Sequence, residues 1–173
     1  MNTHLVITLI ANDRPGIVEQ VAQVISEHEG NWLESSLSRL GGKFAGILLV
    51  AVENDREEPL RQALSGLQAQ DIRAVVEQAG DSTTSEGQHL LLSVVGNDRR
   101  GIVGESSRVL ASRDVNVDEL YTSTENAPMS GDVLFRVTAD IVLPSALNED
   151  SLRIALEELS DDLMVELDEP GDE

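Results

Sequence analysis

Apolar residues follow two rhythms in the first half of this chain. Leu5 to Ile10 is a continuous apolar run of strand length, closed by the turn cluster Asn12-Asp13-Arg14-Pro15-Gly16. From Gly16 the period changes. Ile17, Val18, Val21, Ala22, Val24 and Ile25 share one face at helical spacing, and Glu29-Gly30 supplies the stop. A strand from Asn31 to about Leu40, the pair Gly41-Gly42 and an apolar strand from Phe44 to Val52 read as a hairpin. A second helix after Asn54-Asp55 turns Leu60, Ala63, Leu64 and Leu67 inward, and Ile72 to Glu77 is a last strand. The outward positions Ile47, Leu49 and Ala51 are apolar too, which predicts that this sheet face is covered.

The pattern is then written again. An offset of 85 residues aligns His4-Leu5 with His89-Leu90, Asn12 with Asn97, Gly16-Ile17-Val18 with Gly101-Ile102-Val103, and Asn31 with Asn116. The same offset aligns Gly46 with Gly131 and Pro59 with Pro144, after which Leu60 best matches Leu152. This predicts a seven-residue insertion near Ser145–Ser151. The second helical face reads Ile102, Val103, Ser106, Ser107, Val109 and Leu110, and its hairpin has a longer loop, Glu125 to Ser130. Each copy reads βαββαβ. The expected fold class is α+β: two ferredoxin-like domains, each a four-stranded antiparallel sheet with two helices on one face. The expected boundaries are an N-terminal domain over 1–79, a polar linker over 80–87, a C-terminal domain over 88–168 and an acidic tail over 169–173. Domains this small are expected to pack together.

Charge narrows the partners. Twelve basic residues stand against 32 acidic ones, a formal charge of −20, and Lys43 is the only lysine. Nucleic acid and anionic membrane repel such a surface, so neither is an expected partner. The imbalance is concentrated in the second half, where Arg153 is the only base after Glu149. The chain has no cysteine, no signal-peptide pattern at its start and no apolar run of membrane-spanning length, so a cytoplasmic location is expected.

No enzymatic constellation stands out, and no cofactor is expected. His4, His28 and His89 read as surface or strand-edge residues, and there is no His-x-x-x-His, Gly-x-Ser-x-Gly or phosphate-binding loop. The tail acids Glu166, Asp168, Glu169, Asp172 and Glu173 lack the ligand spacing of a calcium loop, so no metal is expected. What remains is the repeated turn. As structure, Asn12 or Asp13 caps the helix, Pro15 presets its start, and Gly16 brings the chain close to the sheet. As a site, the helix start offers backbone N–H groups to a carboxylate, while Asn12, Asp13 and Asn31 offer oxygens to an ammonium. Asn97, Asp98, Gly101, Ile102 and Asn116 repeat the set. A small amino acid carries both charges on adjacent atoms and suits such a site.

A βαββαβ unit whose first helix opens on Asp-Arg-Pro-Gly-Ile-Val, with Asn starting its second strand, resembles an ACT domain. Two of them filling a short chain resemble the glycine cleavage system transcriptional repressor family, over residues 4–168. The resemblance implies a regulator that senses an amino acid, glycine favoured, and acts by contacting a DNA-bound LysR-type activator rather than DNA. It also implies a site where the β1–α1 loop meets the start of β2 in an adjoining copy: Asp13, Arg14, Pro15, Gly16, Ile17 and Asn31, with Asp98, Gly101, Ile102 and Asn116. Arg100 stands where the second loop departs from Pro15. A homodimer is compatible with this arrangement. The alternative is a detached amino-acid-binding regulatory subunit of an amino-acid or folate-linked enzyme, which neighbouring genes would distinguish.

Overall fold

Alternating residues of the first strand set the architecture. Leu5, Ile7, Leu9 and Ala11 point to one side of β1 (Asn2–Asn12) and are buried there. In the computed structural model, which describes residues 1–82 and 84–171, the chain divides into two compact units, Met1–Ser82 and Thr83–Glu173. The first continues with α1 (Ile17–Glu27), β2 (Asn31–Leu40), β3 (Lys43–Glu53), α2 (Glu57–Gly66) and β4 (Ile72–Gln78). The second runs β5 (Gln88–Asn97), α3 (Ile102–Ser112), β6 (Asn116–Asn126), β7 (Val133–Leu143), α4 (Glu149–Glu157) and β8 (Met164–Asp168). Each unit is a four-stranded antiparallel sheet, in the orders β2-β3-β1-β4 and β6-β7-β5-β8. This is the ferredoxin-like α+β fold, twice.

The cores follow the patterning. Ile17, Val21 and Ile25 sink one stripe of α1 onto Leu5, Ile7 and Leu9, while Leu60 and Leu64 do the same from α2. The stripe is narrower than the periodicity predicts: Val18 is 46% and Val103 37% exposed, while the i, i+4, i+8 positions are buried and Val24 and Val109 pack against the cores only in part. At Val21's place α3 carries Ser106, which is buried with no hydrogen-bond partner for its hydroxyl among the described residues. On the first sheet's other face Ala51 is buried and Leu49 partly so, while Ile47 is 52% exposed.

Two expectations about the repeat need correction. Leu9 and Val94 are equivalent in β1 and β5, yet they face Gly46 and Val137, which lie 91 residues apart. Six of the seven extra residues therefore sit in the β6–β7 hairpin, where residues 127–132 replace the two-residue turn Gly41-Gly42, and only one lies between β7 and α4, near Ser145–Ser151. The pairing of Gly46 with Gly131 was coincidence. Gly46 lies inside β3, where a Cβ would come within 2.0 Å of the Ser36 carbonyl oxygen, whereas Gly131 is in the loop. Likewise Pro59 is in the first turn of α2 and Pro144 follows β7. The helix stop also differs in detail. Glu29, at φ 58°, takes the left-handed position, and Gly30 is the residue whose Cβ would meet Ile25.

Candidate functional site

The β1–α1 loop is built by three neighbours. The Asp13 N–H donates to the Gly42 carbonyl at 2.9 Å, fastening the loop to the hairpin turn. The Asp13 carboxylate meets Arg39 at 3.5 Å, and the Asn12 side chain accepts from Lys43. Arg14 donates to the Gln70 carbonyl at 2.7 Å and to Gln20 at 3.1 Å. Pro15 is exposed. Gly16 then starts the helix at φ 91°, ψ 1°, and its carbonyl accepts from the Gln20 N–H at 3.0 Å.

This corrects the expected capping. Neither Asn12 nor Asp13 caps α1: the N-cap is Gly16, and no side chain bonds the helix start. Nor does Gly16 serve close packing, since a Cβ there meets nothing within 4 Å. Its left-handed backbone is what calls for glycine. The uncapped amides of the first turn are thus left available to a ligand, with the helix dipole behind them. Ile17 is 3% exposed and anchors the core, so it presents only backbone to the loop.

The C-terminal loop keeps the backbone and changes the side chains. Gly101 starts α3 at φ 96°, again without a side-chain cap, and Ile102 is equally buried. The Asp98 N–H donates to the Val133 carbonyl at 2.8 Å. Arg99, in Arg14's place, grips the Glu105 carboxylate at 2.7 and 3.2 Å, where the first unit has the neutral Gln20. That contact raises the Arg99 pKa and lowers that of Glu105, so the arginine's charge is spent within the loop. The loop that lacks proline is tied by an ion pair instead, and Arg100 is exposed. The Asn97 N–H donates to Asp162 at 2.7 Å. The Ser160 hydroxyl and this amide hold the Asp162 carboxyl below the usual range.

The β2 asparagines lie elsewhere. Asn31 pairs with Ala51, which pairs with His4, eight residues back along β1 from Asn12. At about 3.4 Å per residue that is roughly 27 Å. Asn116 stands likewise level with His89, where its amide donates to Asp118 at 2.6 Å. Within one unit, then, Asn12 through Ile17 gather at one end of the sheet and Asn31 lies at the other. The same holds for Asn97, Asp98, Gly101 and Ile102 against Asn116.

Residues that sequence reasoning passed over sit beside the first loop. A cleft of about 230 Å³ is walled by Asn12, Lys43, Gln68, Asp71 and Arg73. The uniqueness of Lys43 was the only signal for it, because β1, β3 and the α2–β4 connection are distant in sequence. Among the described residues no group of three or more metal-ligating side chains gathers, and no helix is long and apolar enough to cross a membrane. Asp172 and Glu173 of the acidic tail lie outside the described residues.

Residues 3–77 match the ACT domain family. The crystal structure of an unknown protein from Galdieria sulphuraria superposes with a TM-score of 0.85 at 27% identity, covering 99% of this chain and 100% of that one. The crystal structure of a putative glycine cleavage system transcriptional repressor superposes with a TM-score of 0.72 at 20% identity, covering 97% of each chain, a likeness of fold. No curated protein matches the chain in sequence.

Proposed function

We propose, from the premise that residues 3–77 belong to the ACT domain family and the C-terminal unit repeats their fold, that this tandem ACT protein senses a small amino acid and passes the signal to a protein partner. ACT domains are regulatory modules that generally bind amino acids and often dimerise. One observation carries the reading: both units start their first helix from a left-handed glycine with no side-chain cap, Gly16 and Gly101. A ligand carboxylate would take the amides so exposed, and loop oxygens would take its ammonium.

Glycine is the favoured ligand. The open space around the Gly16 Cα suits a ligand close to the backbone, and the named repressor of like fold points the same way. The output would be contact with a DNA-bound LysR-type activator rather than with DNA, in keeping with the charge of −20. Because Asn31 is at the far end of its own sheet, it can join a loop only from an adjoining copy of the fold.

Isothermal titration with glycine tests this. Binding is expected, with Gly16→Val weakening it tenfold or more, and Asn31→Ala weakening it to a degree that depends on the copies being assembled. A folded sample that gives no heat with any amino acid would overturn the proposal.

A further inference from the structure

The basic residues of the N-terminal unit are not spread evenly. Four of its six, Arg14, Arg39, Lys43 and Arg73, stand at the end of the sheet where β1 finishes. Arg39 is neutralised by Asp13, and Arg14 is bonded to Gln70 and Gln20. Lys43 and Arg73 form no ion pair with any described carboxylate, and both wall the 230 Å³ cleft. Strand pairing puts them there: Lys43 lies opposite Asn12, and Arg73 opposite Ile10. Asn12 accepts from Lys43 and so fixes the ammonium at the rim.

The C-terminal unit supplies an internal comparison. Leu134 lies opposite Asn97 where the first unit has Lys43, and Met164 lies opposite Val95 where it has Arg73. Both cations are thus replaced by apolar residues. At that same strand end the chain seats a carboxylate of its own, Asp162, on the Asn97 amide. The first unit's equivalent, Asp71, has a left-handed backbone (φ 60°) and makes no such bond among the described contacts. Two cations that form no ion pair among the described residues, set against the single carboxylate of Asp71 in the same wall, leave the concave site net positive in a strongly acidic chain. Such a site attracts an anion, and charge-assisted hydrogen bonds would hold it.

We propose that this cleft binds a small carboxylate-bearing metabolite, with the carboxylate between Lys43 and Arg73, and that the C-terminal unit has no counterpart site. The volume lies below the roughly 300–1,000 Å³ of ordinary ligand pockets, so the ligand is small. A carboxylate is named rather than a phosphate because a carboxylate is what the second unit places at this strand end. The inference does not depend on what the β1–α1 loops bind.

The test is an amide-resolved NMR titration of the full chain with sodium succinate, which has no ammonium group. Sodium chloride at matched ionic strength and sodium phosphate serve as separate arms. Saturable shifts are expected at Asn12, Lys43, Asp71 and Arg73, with Asn97, Leu134, Asp162 and Met164 still. Arg73→Gln, which breaks no ion pair or side-chain hydrogen bond among the described residues, is expected to weaken binding at least tenfold, and Arg136→Gln to leave it unchanged. The proposal fails if shifts never saturate, if chloride reproduces them, or if phosphate alone binds. Arg73→Gln retaining full affinity with a native spectrum would also overturn it.

Discussion

At Gly16 the backbone turns to φ 91° with open space where a side chain would project. Conformation and packing are therefore separable at this position. Gly16→Ala is expected to destabilise the protein by about 1 kcal/mol through backbone strain, with no clash. Urea midpoints measure this directly, and a cost near zero would mean that the loop relaxes to negative φ. Ser106 presents the opposite case. Its hydroxyl is buried without a partner among the described residues, at a site where the first unit has Val21. Removing the oxygen abolishes a desolvation cost and leaves only a small void, so Ser106→Ala is expected to be neutral or stabilising by up to about 1 kcal/mol in thermal unfolding. Neither residue announces its environment in sequence: glycine and serine are equally at home in turns and on surfaces.

At the scale of the element, edge strand β6 is exposed along all 11 of its residues, because the buried residues of α3 and α4 pack with β5, β7 and β8. It sets Glu119 beside Asp140 of β7. Loss of hydration first, and then Glu119 and Asp118, raise the Asp140 carboxyl above its ordinary range. A carboxyl whose folded pKa exceeds its unfolded one stabilises the fold in its protonated form, and that contribution is lost as pH rises through the folded pKa. Asp140→Asn is therefore expected to raise the urea midpoint at neutral pH and to leave it unchanged near pH 3, below the unfolded value of about 3.9. Equal gains at both pH values would assign the effect to packing. Hairpins show how far elements were legible. Gly41-Gly42, at φ 59° and 77°, fits a mirror-image two-residue turn that a glycine pair predicts. The pattern predicts the longer β6–β7 loop as well, but chance Gly and Pro matches carry the 85-residue offset past the hairpin and displace its extra length to Ser145–Ser151.

For the whole molecule, charge gives the firmest expectation. With −20 overall, and most of the excess acid after residue 80, the chain is expected to produce no gel shift on any DNA at physiological salt. A specific, salt-sensitive shift by the protein alone would contradict both the charge argument and a mode of action through a protein partner. The two copies also differ in their chemistry. One unit has a loop arginine facing a neutral glutamine and a cleft with two cations that form no ion pair among the described residues. The other has neutralised its arginine with Glu105 and lost both cleft cations.

The repeat, the βαββαβ order, the alternation that buries Leu5, Ile7 and Leu9, and the acidity were all present in the sequence. They depend on local periodicity and on simple sums. Which end of the sheet each residue occupies was not. Asn31 follows the first helix closely in sequence, yet register carries it roughly 27 Å along the strands from the β1–α1 loop of its own unit. Lys43 and Arg73, 30 residues apart, come together only because β3 and β4 flank the end of β1. Strand pairing is a non-local choice made by the whole core, so which residues share a sheet end was decided only by tertiary structure.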